Sequence, residues 1–133
     1  MSAQASVTYA AASAGIVISE GLFQDTVSGA EQMVGAFTTV PSTCGRFTAT
    51  VGKASLPVTI SAIPFPSVGE ETAAVQVNIT VPAYNNITVS CDMVAIRHGG
   101  TVVVVVNLDY PVLKKGLTQS VTQDAYAKAA ALW

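Results

Sequence analysis

Residues 87–108 restrict what this chain can fold into more than any other stretch. They read ITVSCDMVAI, then RHGG, then TVVVVVNL. Two runs rich in β-branched residues flank a turn that ends in Gly99-Gly100. β-Branched side chains suit a pleated sheet, and glycine supplies the positive φ that tight hairpin turns require. Any even-length loop puts Cys91, Met93 and Ala95 on one face with Val102, Val104 and Val106. The other face then carries Ser90, Asp92, Val94 and Ile96 with Val103, Val105 and Asn107. The first face is wholly apolar and has to be covered. The second is apolar near the turn and polar further away.

The flanking sequence agrees with this hairpin. Ala73, Val75, Val77, Ile79 and Val81 alternate with polar residues. A loop over 82–86 sets Val77 opposite Cys91 and Val75 opposite Met93, so the apolar faces match across three strands. Upstream, Phe47, Ala49 and Val51 alternate, Gly52-Lys53 turns the chain, and Leu56, Val58, Ile60 and Ala62 alternate again. Pro64 and Pro66 cannot continue a central strand, because proline lacks the donor. Residues 6–10 and 15–24 read as two further strands, the second with Ile16, Ile18 and Leu22 sharing a face.

Between the N-terminal strands and residue 46, Ser28 and Glu31 fit a capping box. Ala30, Met33, Val34 and Phe37 follow at helical spacing, and Pro41 is expected to stop this helix just before Cys44. At the C-terminal end Leu117, Val121, Ala125, Ala129 and Leu132 recur four or so apart, as one face of a second helix. The order is β-β-α-β-β-β-β-β-α. Consecutive hairpin-linked strands imply an α+β fold: a single antiparallel β-sheet with two helices packed on one face. Residues 1–133 form one domain.

Composition narrows the partners. Hydrophobic residues make up 50% and charged residues 11%, with a net charge of −2 and no basic cluster. Nucleic acid is therefore not an expected partner, since phosphate binding needs concentrated positive charge. No apolar run reaches the roughly 18 to 20 residues a membrane-spanning helix needs. The first residues lack a signal-peptide pattern, so the chain reads as cytosolic or as a mature segment behind an added methionine. We favour the second because of the cysteines.

Cys44 and Cys91 stand far apart, with no Cys/His spacing for zinc. Two readings stay open: a pair of buried thiols, or one disulfide in an oxidising compartment. The bond would close a loop of about 48 residues, worth roughly 4 kcal/mol in the loop-entropy model. It would pin the first helix to the sheet.

Catalytic chemistry is not visible. His98 is the only histidine and sits in the turn, a poor place to hold a general base. Glu70 and Glu71 read as a solvated loop pair. No P-loop, Gly-x-Gly-x-x-Gly or Gly-x-Ser-x-Gly occurs, so neither cofactor nor metal is expected. The second sheet face is the suggestive surface. Val94, Ile96, Val103 and Val105 are apolar where an open antiparallel sheet is usually polar, and Asp92 and Asn107 adjoin them. Either a third layer covers this face, or it floors a ligand cleft.

The helix ending at a cysteine (GAEQMVGAFTTVPSTC), the segment PSVGEETAAVQVNITV, and the hairpin SCDMVAIRHGGTVVVVVNL followed by a helix together resemble a known family. It is the extracytoplasmic sensor domain of the PknH-type mycobacterial receptor Ser/Thr kinases and related actinobacterial lipoproteins. The resemblance covers roughly residues 15 to 133 and rests on order and spacing. It implies that Cys44 and Cys91 are one of the family's two disulfides; the other pair is absent here, with Asn107-Leu108-Asp109-Tyr110 where the family has a cysteine. That departure points to a stand-alone secreted or lipid-anchored relative.

The expectation that follows is a non-enzymatic extracytoplasmic ligand-binding or sensor domain of the cell envelope. Val94, Ile96, Val103 and Val105 would hold an apolar or amphiphilic envelope molecule, with Asp92 and Asn107 orienting its polar end. The alternative is a structural or interaction module that self-associates, as a homodimer, through the helix-free face.

Overall fold

The computed structural model describes residues 3–11, 15–110 and 115–131. Leu132, the last member of the expected C-terminal stripe, and Trp133 lie outside the described residues. Seven strands form one antiparallel sheet: β1 (Ala3–Ala11), β2 (Ile16–Gln24), β3 (Arg46–Val51), β4 (Ala54–Ala62), β5 (Glu71–Val81), β6 (Ile87–His98) and β7 (Thr101–Asp109). Helix α1 (Val27–Thr43) follows β2, and α2 (Lys115–Ala130) follows β7. Across the sheet the order is β1-β2-β7-β6-β5-β4-β3. The α+β class, the element order and the antiparallel sheet are those read from the sequence.

Register follows the hydrophobic pattern. Val77 pairs with Cys91 and Val75 with Met93, while Ala95 pairs with Val104 and Asp92 with Asn107. Asn85 and Asn86 take left-handed φ of 59° and 57° in the β5–β6 loop, a conformation that asparagine tolerates better than most residues. Gly99 supplies the positive φ (57°) of the β6–β7 turn.

The placement of the helices differs from expectation. Helix α1 covers the first face: Ala30 and Val34 are buried against Ala73, Ala95 and Val102, with Phe23, Met33, Phe37 and Val104 around them. Helix α2 lies on the opposite face, where Ala125 and Ala129 meet Val103 and Val105. Beside it the β4–β5 connection lays Ile63, Phe65 and Val68 on Ala74, Val94 and Ile96. The sheet is thus sandwiched, and both apolar faces are closed by the chain itself. Each strand of the β5–β6–β7 centre is apolar on its two sides near the turn, and one helix cannot shield both.

Two details of α1 also differ. Its N-cap is Thr26, whose side-chain oxygen accepts from Gly29 N–H at 3.0 Å; Ser28 is already helical. The reason is tertiary. Asp25 N–H donates to the Gly100 carbonyl at 2.8 Å, which keeps residues 25–26 extended and sets the helix start. The Thr26 amide also donates to Asp25 Oδ1 at 2.7 Å, and this holds the Asp25 carboxyl below the usual range. Pro41 does not stop the helix. Helical structure runs on to Thr43, and Cys44 N–H closes it on Val40 O at 2.8 Å. Proline removes a single backbone donor here, while the Ser42 and Thr43 hydroxyls both donate to Thr39 O.

The disulfide is not formed: Cys44 is an exposed free thiol and Cys91 a half-buried one. The register explains why. Gly45 O accepts from Ile60 N–H at 2.7 Å, Ile60 opposes Val77, and Val77 opposes Cys91. The residue beside Cys44 is therefore three strand spacings from Cys91, roughly 14 Å. Since neighbouring Cα atoms are about 3.8 Å apart, the two cysteines stay well beyond the roughly 7 Å Cα separation a disulfide tolerates. Burial, and next the Asp92 carboxylate, push the Cys91 thiol up, so less of it is the reactive thiolate at any given pH. Alkylation at neutral pH should modify Cys44 rapidly and Cys91 at least tenfold more slowly, with both reacting in denaturant. Mass spectrometry after timed iodoacetamide treatment checks this; a reducible link between the two peptides would contradict the register.

Candidate functional site

The second sheet face is graded along its strands, and α2 is graded to match. The rungs nearest the β6–β7 turn carry Ile96 opposite Val103 and Val94 opposite Val105. The next carries Asp92 opposite Asn107. Over the apolar rungs α2 places Ala125 and Ala129; over the polar one it places Thr118. The buried stripe of the helix is Thr118, Thr122, Ala125 and Ala129, a 3.6-residue repeat of small side chains. It is rotated slightly from the expected stripe, in which Leu117 and Val121 took the places of Thr118 and Thr122.

The result is a buried polar cluster. Asp92, Asn107, Asp109, Thr118 and Thr122 are each 2% exposed or less. The Asn107 amide donates to Asp109 Oδ2 at 3.0 Å and to Thr118 Oγ1 at 2.8 Å. The Thr118 hydroxyl donates in turn to Asp92 Oδ2 at 2.7 Å, and Thr122 Oγ1 donates to the Thr118 carbonyl at 2.7 Å. Asp92 Oδ1 is buried with no hydrogen-bond partner among the described residues. Leaving a buried acceptor unmatched costs roughly 1–3 kcal/mol, and more for a charged group, so this oxygen is where an added donor gains most.

That oxygen belongs to a residue lining a cavity. The two coverings of this face, the β4–β5 connection and α2, meet over Ile96, where Tyr126 joins the Ile63, Phe65 and Val68 cluster beside Gly69, and they leave a gap at Asp92. Between them lies a space of about 140 Å³ lined by Ile63, Pro64, Phe65, Pro66, Asp92, Thr118 and Gln119. Its walls are apolar and its polar groups come from β6 and the first turns of α2. A second cavity, about 260 Å³ and mostly apolar, lies on the far side of α2 between Leu22, Val103, Ala125, Ala129 and the exposed strand β1. Lys128 and Glu20 line it and pair at 3.0 Å.

Of the residues singled out in the sequence, Asp92 and Asn107 are brought together as expected, with Thr118 between them. Val94, Ile96, Val103 and Val105 do not floor an open groove. They are at most 3% exposed, beneath α2 and the β4–β5 connection, so they are core. The helix-free face on which self-association was expected is covered over β5, β6 and β7.

Asp109, Thr118, Thr122, Gln119 and the Ile63–Pro66 wall were missed. Asp109 shares a face with Asn107 by strand alternation, a signal hidden by Pro111 directly after Tyr110. Thr118 lies on the small-residue stripe of α2. The Ile63–Pro66 wall carried no signal beyond its prolines.

The acidic pair is not simply solvated. Arg97 Nε donates to Glu71 Oε1 at 2.9 Å and Nη1 to Glu70 Oε2 at 3.1 Å. The Glu71 contact is the main cause that raises the Arg97 pKa further. Glu70 Oε1 also accepts from Gly99 N–H at 3.1 Å and lies 3.5 Å from His98 Nδ1. The fold thus brings His98, Glu70 and Glu71 to one place, which the sequence did not foretell. Glu70 and Glu71 are spent on bracing the turn, and none of these three residues lines a cavity described above.

These features define an α+β domain with a sandwiched antiparallel sheet and a small polar-floored cavity. Comparison with family models, with curated proteins and with solved structures found no match for this chain. No helix among the described residues is long and apolar enough to cross a membrane.

Proposed function

We propose that this is a non-enzymatic small-molecule-binding domain whose site is the cavity above Asp92. The reading moves the expected apolar-walled, polar-ended pocket from the open sheet face to the gap between the β4–β5 connection and α2. The buried, unmatched Asp92 oxygen carries it: a native interior rarely leaves such a group without water or a ligand, and a small pocket with apolar walls and a few convergent polar groups is how ligand sites are built. An extracytoplasmic, envelope-associated role is part of the proposal. Its support is the low charged content of 11% and the likeness of element order to the kinase-associated sensor domains; the free cysteines lend it none.

Screening by amide NMR with compounds of about four to eight heavy atoms tests the site. The expected result is saturable shifts confined to the backbone around Phe65, Asp92, Thr118 and Gln119. A screen in which no compound moves those resonances at millimolar concentration would overturn the proposal.

A further inference from the structure

We infer that the cavity above Asp92 recognises a primary ammonium group on a short hydrocarbon body, a statement that rests on the cavity being a binding site. Every polar side chain at the site can accept. Asp92, which lines the cavity, has an unmatched Oδ1, and its Oδ2 already takes the Thr118 hydroxyl proton. That proton is therefore not free for a ligand, and the Thr118 oxygen, which already accepts from Asn107, keeps one lone pair for a further donor. Gln119 brings an amide oxygen as well as its N–H₂. Two of the four residues in the facing wall, Pro64 and Pro66, have no backbone N–H at all, and the N–H of Ile63 is already given to Ala74 O.

An acceptor-rich site with one carboxylate calls for a ligand that donates several hydrogen bonds and carries one positive charge. An ammonium has three donors and no acceptor. A divalent metal ion asks for several hard oxygen ligands, typically more than one carboxylate. The cavity lining holds a single carboxylate, and among the described residues no three Asp, Glu, His or Cys cluster to hold a metal ion. The rest of the wall decides between a bare cation and an organic one. Ile63, Pro64, Phe65 and Pro66 offer apolar surface to an alkyl stem, and the Phe65 ring adds a face that attracts cations. A carboxylic acid or phosphate is disfavoured by the same acceptors.

The test is a titration with n-butylammonium chloride in an amine-free phosphate buffer, read by amide NMR, with n-butanol and sodium butyrate as neutral and anionic counterparts. Butylammonium should bind saturably and at least tenfold more tightly than butanol, and butyrate not at all. Asp92→Asn should weaken butylammonium at least tenfold and leave butanol unchanged. Gln119→Arg is the second variant, on an exposed position of α2, so folding does not hinge on it. Its guanidinium can reach Asp92 from within, and it should abolish butylammonium binding.

Equal binding of butanol, or undiminished butylammonium binding in Asp92→Asn or Gln119→Arg, overturns the ammonium assignment while the cavity stands as a site. Saturable binding of butyrate alone does the same. If none of the three probes moves the cavity resonances, the ammonium assignment is wrong, and the binding role falls only if the wider compound screen is also silent.

Discussion

Val105→Asp should abolish the cooperative fold. Val105 is 0% exposed and sits with Val103 beneath Ala125 and Ala129. Its strand neighbours are Val94 on β6 and Glu20 on β2. A carboxylate there would be desolvated, would have no donor beside it in this cluster, and would face a like charge directly across the ladder, each of which destabilises. A loss of about 5 kcal/mol or more is expected, against a total of about 5–15 kcal/mol for a typical domain. Urea unfolding followed by far-ultraviolet circular dichroism should show no cooperative transition, or no folded protein at all. Val51→Asp is the control: Val51 is 63% exposed at the end of β3, opposite Ala54, and the same change there should cost no more than about 1 kcal/mol. If Val105→Asp unfolds like the parent, this face is open after all and the sandwich is wrong.

The two glycines of the β6–β7 turn should differ in cost, and not in the order a turn argument alone suggests. Gly99 has the positive φ, yet a Cβ added there meets nothing within 4 Å. Gly99→Ala should therefore cost only the backbone strain, about 1–2 kcal/mol. Gly100 has no positive φ, but its Cβ would stand 2.2 Å from the Asp25 carbonyl oxygen. Its own carbonyl holds Asp25 N–H, so the clash falls on the junction that starts α1. The neighbour is backbone and cannot swing away. Gly100→Ala should cost roughly 3 kcal/mol, at the upper end for an overpacked contact. Midpoints of urea unfolding for the two variants rank them; a Gly100→Ala protein more stable than Gly99→Ala would show that the hairpin turn does not dock on residues 25–26.

What one dimension of the chain determined is its strands and their pairing. Alternation has a period of two, so a slip by one residue would send every side chain of β7 to the opposite face, and the matching faces of β5, β6 and β7 fixed which side chains lie together. The loop over 82–86 closed the β5–β6 hairpin at the right length, while the β6–β7 turn at Gly99-Gly100 was legible only as even in length. That Asp92 and Asn107 share a face was therefore visible in advance; that they stand directly opposite came from the two-residue turn. Periodicity also marked both helices, because an apolar stripe every 3.6 residues is local information.

What only the folded chain decided is which element covers which face. Both faces of the central strands are apolar near the turn, and a helix stripe carries no label for the side it will choose. Helix α2 follows β7 through a short connection and pairs its threonines with the polar rung and its alanines with the valines, a match between two gradients that no single stretch displays. The same choice turned Val94, Ile96, Val103 and Val105 into core and moved the accessible site to the seam above Asp92. It also set Cys44 beyond the far edge of β4, out of reach of Cys91, because α1 leaves the sheet over a different strand from the one that holds the second thiol. Sidedness and separation across a sheet depend on contacts between residues distant in sequence, and those are created by packing.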